Sequence, residues 1–164
     1  MVKYNLIKEL ITLNIKIISP FDLVVLTQLF DYNNPDEMIL QNKYDIENGI
    51  IDIFVMYDDD RPIGELHVAY KSDDERAVKG KRAYLFAFRI HKDYRGQGYG
   101  KQLLQSVIDI LTEQGYSEFT VGVEDDNDRA KHIYDSFGFT ELIAQKYEEY
   151  QGDGYEYELY LRRS

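Results

Sequence analysis

A glycine-rich turn between an apolar strand and an amphipathic helix is the feature that most limits what this chain can fold into. Residues 83–91 form a long apolar run interrupted only by Arg89, which predicts a strand. The turn Arg95-Gly96-Gln97-Gly98-Tyr99-Gly100 follows, and residues 101–114 then carry apolar side chains at intervals of three and four, which predict a helix. Backbone N–H groups at such a helix N-terminus lack intrahelical partners, and the helix dipole favours an anion there. The turn therefore predicts an anion site, although a purely structural turn is the alternative.

Two well-known phosphate-binding loops do not match this turn. A P-loop would need glycine in place of Arg95 and serine or threonine in place of Gln102. The dinucleotide pattern G-x-G-x-x-G fails because Lys101 follows Gly100. The turn belongs to neither class.

The remaining patterns predict a mixed α/β chain. Strands are expected at 14–18, 50–57, 63–70, 119–123, 139–150 and 155–161, and helices from Pro20 to about Phe30, from Pro35 to about Tyr44 and over 127–137. The order is strand, two helices, three strands, helix, strand, helix and two strands, which is typical of an α/β sandwich around one mixed sheet. Because no repeat or linker interrupts the chain, residues 1–164 are expected to form a single domain.

Composition excludes several classes of function. The net charge of -11 argues against nucleic acid as the main partner, and the absence of cysteine excludes disulfides, thiolate metal sites and a cysteine nucleophile. The three histidines, His67, His91 and His132, are far apart, so no metal site is expected. No apolar run approaches the length of a membrane span and residues 1–14 do not resemble an export signal, so a cytoplasmic location is expected.

Charge is unevenly distributed along the chain. The segment 76–101 holds eight cations and one anion, whereas the rest of the chain is strongly acidic. A basic island in an acidic protein favours one locally bound anion and a cationic second ligand elsewhere, although a solvated charged surface gives the same pattern.

Two motifs together resemble the GNAT superfamily of acetyltransferases. Residues 90–101 resemble its acetyl-CoA signature, Arg/Gln-x-x-Gly-x-Gly/Ala, which Arg95, Gly98 and Gly100 fill. Residues 127–139 are similar to its Asn-x-x-Ala-x-x-x-Tyr-x-x-x-Gly-Phe helix. The resemblance covers roughly residues 61 to 140, with the two motifs in the family's order.

The resemblance implies a fold and a set of roles. The fold would be α/β (α+β), with a mixed, mostly antiparallel sheet of about seven strands, splayed at the cofactor site, and helices on both faces. The family's acetyl-CoA would meet the backbone of Phe88, Arg89 and Ile90 along its pantetheine arm. Arg95 fills the signature, and the backbone amides of Gly96, Gln97, Gly98, Tyr99, Gly100 and Lys101 would hold the pyrophosphate. Asn127 would contact the pantetheine side, and Tyr134 would lie near the thioester sulfur.

The chemistry of acetyl transfer requires a base and an acid. An amine with a pKa near 10 costs about 4 kcal/mol to deprotonate at pH 7, so a general base or a water leading to one is expected. Glu65 and Glu124 are the two candidates, and for each a surface or ion-pairing role is the alternative. Tyr134 is the candidate acid for the departing thiolate, against the alternative of a core tyrosine. Without a cysteine or a Gly-x-Ser-x-Gly turn, we expect direct attack in a ternary complex.

The expected function is therefore an N-acetyltransferase that moves acetyl from acetyl-CoA to a primary amine without a metal. The acidic remainder of the chain favours a cationic acceptor, such as a polyamine, an aminoglycoside-like amine, or a peptide or protein amine. The alternative is a non-catalytic CoA-binding sensor or interaction module on the same fold. Five tyrosines in the last hairpin, Tyr147, Tyr150, Tyr155, Tyr157 and Tyr160, are expected to be half-buried or to line an acceptor cleft or a homodimer seam.

Overall fold

The computed structural model of the chain describes residues 15–150 and 152–164. The expectations for residues 1–14, including Asn14 at the start of the first strand, and for Gln151 in the last turn, lie outside the described residues.

One seven-stranded sheet organises the described residues. Its strands are β1 (Ile15–Ile17), β2 (Ile51–Asp58), β3 (Arg61–Ala69), β4 (Arg82–Ile90), β5 (Glu118–Glu124), β6 (Glu141–Tyr150) and β7 (Asp153–Arg163), in the order β1-β2-β3-β4-β5-β7-β6. β4 pairs with β5 in parallel, whereas β1 with β2, β5 with β7 and β6 with β7 are antiparallel. The prediction of a mixed, mostly antiparallel sheet of about seven strands is confirmed.

Four α-helices lie between these strands. They are α1 (Leu26–Leu29), α2 (Pro35–Glu47), α3 (Tyr99–Glu113) and α4 (Asp128–Ser136). The apolar stripe predicted for α3 is almost completely buried, at Leu103, Leu104, Val107, Ile108 and Leu111. By contrast α2 buries none of its residues, and its Leu40 and Tyr44 are exposed.

The start of the first helix is wrong in the sequence prediction. Ser19 as a cap before Pro20 predicts a helix from Pro20, yet a 3₁₀ turn begins only at Leu23 and α1 at Leu26. Ser19 instead forms a local turn, because its hydroxyl accepts from Phe21 N–H at 3.3 Å and its carbonyl accepts from Asp22 N–H at 2.9 Å. Serine competes for local backbone groups in this way, so the cap pattern marks a turn here.

The second helix begins at Pro35, where the sequence predicts it. Asn34 caps α2 by accepting from Glu37 N–H at 3.2 Å, and Pro35 occupies the first helical position. Proline suits that position because its missing N–H would have had no helical partner.

The chain divides into two compact units. The first holds the described residues through Val68 together with Ala87–Ile110, and the second holds Ala69–Phe86 and Leu111–Ser164. The divisions fall inside β3, β4 and α3 rather than in linkers. The expectation of a single domain stays a prediction.

Candidate functional site

The glycine-rich turn of the first unit leads directly into α3. Gly96 and Gly98 have φ values of 76° and 86°, a region that favours glycine because it carries no Cβ. A Cβ added to either glycine would meet no protein atom within 4 Å, and residues 95–98 are exposed. Because α3 begins at Tyr99 and runs for 15 residues, the turn presents exposed backbone at the N-terminus of a long helix. Such a place suits an anion.

Side chains of the turn hold its own backbone in place. Arg95 Nε donates to the carbonyl of Ile90 at 3.0 Å, which ties the turn to the end of β4. Gln97 Nε2 donates more weakly to the carbonyl of Asp93 at 3.4 Å. The Arg95 side chain therefore has a structural role here, in addition to filling the signature.

The end of β4 packs against the same turn. A Cβ on Gly100 would lie 3.4 Å from Phe88 Cζ and 3.5 Å from Ile90 Cγ1. A Cβ on Gly64 of β3 would lie 2.6 Å from Ile90 Cδ1 and 3.2 Å from the carbonyl oxygen of Arg89, so a side chain there would displace Ile90 and press against the backbone of β4. Side chains alternate along a strand, and Arg89 accordingly makes different contacts from Phe88 and Ile90.

The parallel ladder between β4 and β5 is short. It runs from Arg82 and Glu118 to Leu85 and Val121, although β4 continues to Ile90. Ala87 follows with a φ of 48°, which is unusual for a residue other than glycine. The irregularity lies directly before the segment 88–90 that the sequence analysis singled out.

Arg89 belongs to a polar cluster on the first unit. Its Nε donates to Oε1 of Glu65 at 2.9 Å and its Nη2 to the Tyr32 hydroxyl at 3.0 Å, while Nη2 also contacts Glu65 closely. The guanidinium carbon lies 3.9 Å from the centre of the Phe30 ring. On the other side of Glu65, Nε2 of His67 donates to Oε2 at 3.1 Å.

Glu65 is a charged side chain that the protein buries completely, with 0% exposure. Burial alone would raise its pKa, but the hydrogen bond and charge of His67, followed by those of Arg89, outweigh burial and lower the pKa below its ordinary value. A buried carboxylate with both oxygens occupied and a lowered pKa is well suited to holding Arg89 in place.

In the second unit, α4 carries the other motif. Asn127 is the N-cap of α4, and its Oδ1 accepts from Ala130 N–H at 3.1 Å. Tyr134 packs edge-on against Phe139, with ring centres 5.8 Å apart, and lines a cavity of about 280 Å³ with Lys131 and Tyr160. Burial, with a smaller effect of Tyr84, raises the pKa of Tyr134 to about 12, so its hydroxyl keeps its proton at neutral pH.

Glu124 stands at the end of β5 and is exposed. It pairs in register with Tyr157 on β7. Unlike Glu65, it offers a carboxylate that solvent can reach.

Two tyrosine hydroxyls of the last hairpin donate to the same carboxylate, whereas Tyr160 donates to Glu158 and Tyr147 to Glu149. Glu148 accepts from Tyr155 at 2.8 Å, from Tyr157 at 2.9 Å and from Arg76 Nη1 at 3.1 Å. Burial, followed by the hydrogen bond to Glu148, raises the pKa of Tyr155 to about 12. Tyr157 is buried whereas Tyr147 is 61% exposed, so the expectation of half-buried tyrosines holds for only some of them.

The candidate residues are thus distributed over the two units. The first unit holds Glu65, the segment 88–90 and the turn 95–101, and the second holds Glu124, Asn127 and Tyr134. The contacts of Tyr32 with Arg89 and Glu65 are functional-site contacts that no sequence pattern indicates. Arg89 as the one charge in an apolar strand was a usable signal, but Tyr32 lies 57 positions away and no local pattern links the two.

Two kinds of feature are absent from the part of the chain that the structure describes. No group of three or more histidine, cysteine, aspartate or glutamate side chains is placed to hold a metal ion there. Within the same residues, no helix has the length and apolar character needed to cross a membrane.

The family model and the curated relative that match this chain both describe acetyltransferases. A family model described as "Acetyltransferase (GNAT) family" matches residues 22–139. N-alpha-acetyltransferase 30 of Schizosaccharomyces pombe is 37% identical over 86 residues, which are 52% of this chain and 55% of that protein. This chain therefore spans about half the length of that curated relative.

Solved structures match nearly the whole chain at low identity. A putative acetyltransferase from Salmonella typhimurium, solved with its cofactor acetyl-CoA, has a TM-score of 0.67 at 16% identity, covering 91% of this chain and 92% of its own. A spermidine N-acetyltransferase chimera from Vibrio cholerae and hSSAT has a TM-score of 0.72 at 19% identity, covering 91% and 94%. At these identities the similarity shows the fold.

Proposed function

Because the chain belongs to the acetyltransferase (GNAT) family, we propose that it transfers acetyl from acetyl-CoA to a primary amine. The observation that carries this proposal is the exposed turn at the N-terminus of α3, where Gly96 and Gly98 adopt positive φ and leave open space beside them. That space admits phosphate oxygens close to backbone N–H groups.

Acetyl-CoA would bind through backbone rather than through side chains. The amides of residues 96–101 would hold the pyrophosphate, and the backbone of residues 88–90 would meet the pantetheine arm. Two features support this assignment: the β4–β5 ladder ends at Leu85, before that segment, and Arg95 fixes the turn to Ile90. Asn127, whose side chain caps α4, would contribute on the pantetheine side.

Besides the acetyl group, the reaction moves protons off the acceptor nitrogen and onto the leaving sulfur. The ammonium form loses one proton before it can attack, the nitrogen loses a second as it attacks the thioester carbonyl, and the sulfur gains one as it leaves. Tyr134 is our candidate for protonating the departing sulfur, because a pKa of about 12 keeps its hydroxyl protonated at neutral pH, although the same raised pKa makes it a weaker acid than an ordinary tyrosine. Afterwards the tyrosinate regains a proton from water or from the spent base.

Glu124 is our preferred candidate for accepting the proton of the amine. It is exposed, so an amine or an ordered water can reach it. Glu65 remains the alternative, but its carboxylate is buried and bonded to both Arg89 and His67. Those contacts favour the charged form and reduce its strength as a base.

A screen of amine acceptors tests the proposal. Purified protein, acetyl-CoA and each amine are mixed, and the release of free CoA is followed. Each primary amine is matched with its N,N-dimethyl derivative, which cannot form an amide, so background hydrolysis is subtracted. Release that depends on the primary amine supports the proposal. Thermal stabilisation by acetyl-CoA without release by any amine would instead favour the non-catalytic CoA-binding module.

A further inference from the structure

We propose that Arg89 and Tyr32 form a subsite that binds a carbonyl or carboxylate oxygen adjacent to the reacting amine of the acceptor. The ligand class is an α-amino acid unit, either the N-terminus of a peptide or a free amino acid. This inference rests on the proposed function, because it assigns the acceptor of that same reaction.

The first support is that the guanidinium of Arg89 is fixed on three sides. Glu65 receives its Nε, Tyr32 receives its Nη2, and the Phe30 ring lies 3.9 Å from its central carbon. An arginine held in this way has lost its rotamer freedom before a ligand arrives, so less entropy is lost on binding.

The second support is that one edge of the guanidinium still faces outward. The Arg89 side chain is 40% exposed, and no contact within the described part of the chain engages its Nη1. The Tyr32 hydroxyl accepts from Nη2 and is 3.5 Å from Glu65 Oε1, a long bond that a ligand oxygen can replace. Nη1 and the Tyr32 hydroxyl therefore supply two donors.

The third support is the charge of the cluster. Glu65, which is completely buried, lies between Arg89 and His67, so the three side chains together carry at most one net positive charge. A neutral carbonyl or a single carboxylate matches such a compensated arginine better than a phosphate, which would carry about two charges. A polyamine carries no acceptor oxygen and gains nothing from these donors.

The location fits the reaction as well. Arg89 belongs to the segment 88–90 whose backbone is proposed to meet the pantetheine arm. An amine that attacks the thioester carries its α-carbonyl one carbon away, so a donor on this segment is suitably placed for that oxygen.

The experiment compares acceptors that differ only in one group on the carbon that carries the amine. Alaninamide carries a carbonyl, alanine a carboxylate, and isopropylamine neither. For each protein, kcat/KM is measured with all three amines, and the ratios of alaninamide and of alanine to isopropylamine are calculated. Because both members of a ratio come from one sample, partial misfolding cancels, and intrinsic differences in amine pKa cancel between wild type and variant.

The variants are chosen so that a folding defect does not obscure the result. Arg89→Lys keeps a positive charge beside Glu65, whereas Arg89→Met removes it and Tyr32→Phe removes one hydroxyl. Arg61→Lys is the matched control, because Arg61 also stacks on a ring, that of Tyr94 at 5.2 Å, and pairs with a carboxylate, that of Asp93 at 3.6 Å.

We expect Arg89→Lys to lower at least one ratio about 10- to 100-fold, the range for a hydrogen bond to a charged group, and Tyr32→Phe to lower it less. The ratio that falls identifies the source, carbonyl or carboxylate. Ratios within twofold of wild type in both Arg89 variants, or an equal fall in Arg61→Lys, would overturn the inference.

A binding measurement separates this inference from the proposed function. If no amine releases CoA, the proposed function fails, and the subsite is then tested by calorimetric titration of alaninamide, alanine and isopropylamine into protein with bound CoA. Tighter binding of alaninamide or alanine than of isopropylamine, weakened in Arg89→Lys, would still support the subsite. Equal binding of all three, or binding unaffected by Arg89→Lys, would refute it.

Discussion

Comparing Gly98→Val with a matched control variant distinguishes the cost of backbone strain from the loss of cofactor binding. Gly98 has a φ of 86°, and an added Cβ meets no protein atom within 4 Å, so the substitution creates strain but no clash within the protein. Holding a non-glycine residue in this region costs about 1–3 kcal/mol. For a chain of this size, that corresponds to a fall in Tm of roughly 2–12 °C.

Gly80 provides a matched control for this substitution. It has a φ of 75°, is exposed, and also leaves a Cβ without neighbours within 4 Å, but it lies in the loop before β4. Gly80→Val should therefore cost a similar amount of stability. Any difference in ligand binding between the two variants then reports on the turn.

Calorimetric titration with acetyl-CoA, together with thermal melting, provides the assay. We expect Gly98→Val to weaken binding at least tenfold, because the side chain occupies the space that phosphate oxygens need. A tenfold loss corresponds to about 1.4 kcal/mol, so the Tm gain from acetyl-CoA should shrink by roughly 3–6 °C. Gly80→Val should keep the full gain. Equal affinity in both variants and wild type would refute the assignment of the turn.

Three further predictions concern single side chains. Tyr134→Phe should lower the amine-dependent rate by about 10²–10⁴-fold with little change in acetyl-CoA affinity, and a rate within threefold of wild type would remove Tyr134 from the mechanism. Asn127→Ala should cost about 1 kcal/mol in urea unfolding, because it removes the cap on Ala130 N–H, whereas Asn127→Asp should cost much less. Since the folded state lowers the pKa of Glu65, its stabilising effect is complete above its ordinary value of 4.5 and disappears as pH falls through the folded pKa. Glu65→Gln should therefore flatten the loss of stability below pH 4.5, and parallel acid profiles would contradict this account.

The sequence predicts best those structural features that depend on residues close together in the chain. The buried stripe on α3 could be predicted because the spacing of its apolar residues alone decides which side chains are buried. The start of α2 could be predicted because Pro35 suits the first helical position. The helix start at Pro20 was predicted wrongly because a serine hydroxyl that accepts a backbone N–H occurs in turns as well as at helix N-caps.

The cluster around Arg89 joins residues that are far apart in the sequence, so local patterns could not predict it. Side chains two positions apart on a strand share a face, which relates Glu65 to His67, but nothing in the sequence indicates that Arg89 and Tyr32 complete the group. Such contacts depend on strand order and on the path of the connection, which spacing does not encode. For the same reason, the sequence could not predict that Glu65 is buried or that its pKa is shifted downward.

The exposed helix α2 has a consequence for how this protein can evolve. Since α2 buries no residue, substitutions along it should mostly change stability by less than about 0.5 kcal/mol. Tyr32 lies just three positions before its first residue. Mutations in the helix that follows Tyr32 can therefore accumulate without endangering the fold, so this part of the chain can diverge while the turn that leads into α3 stays intact.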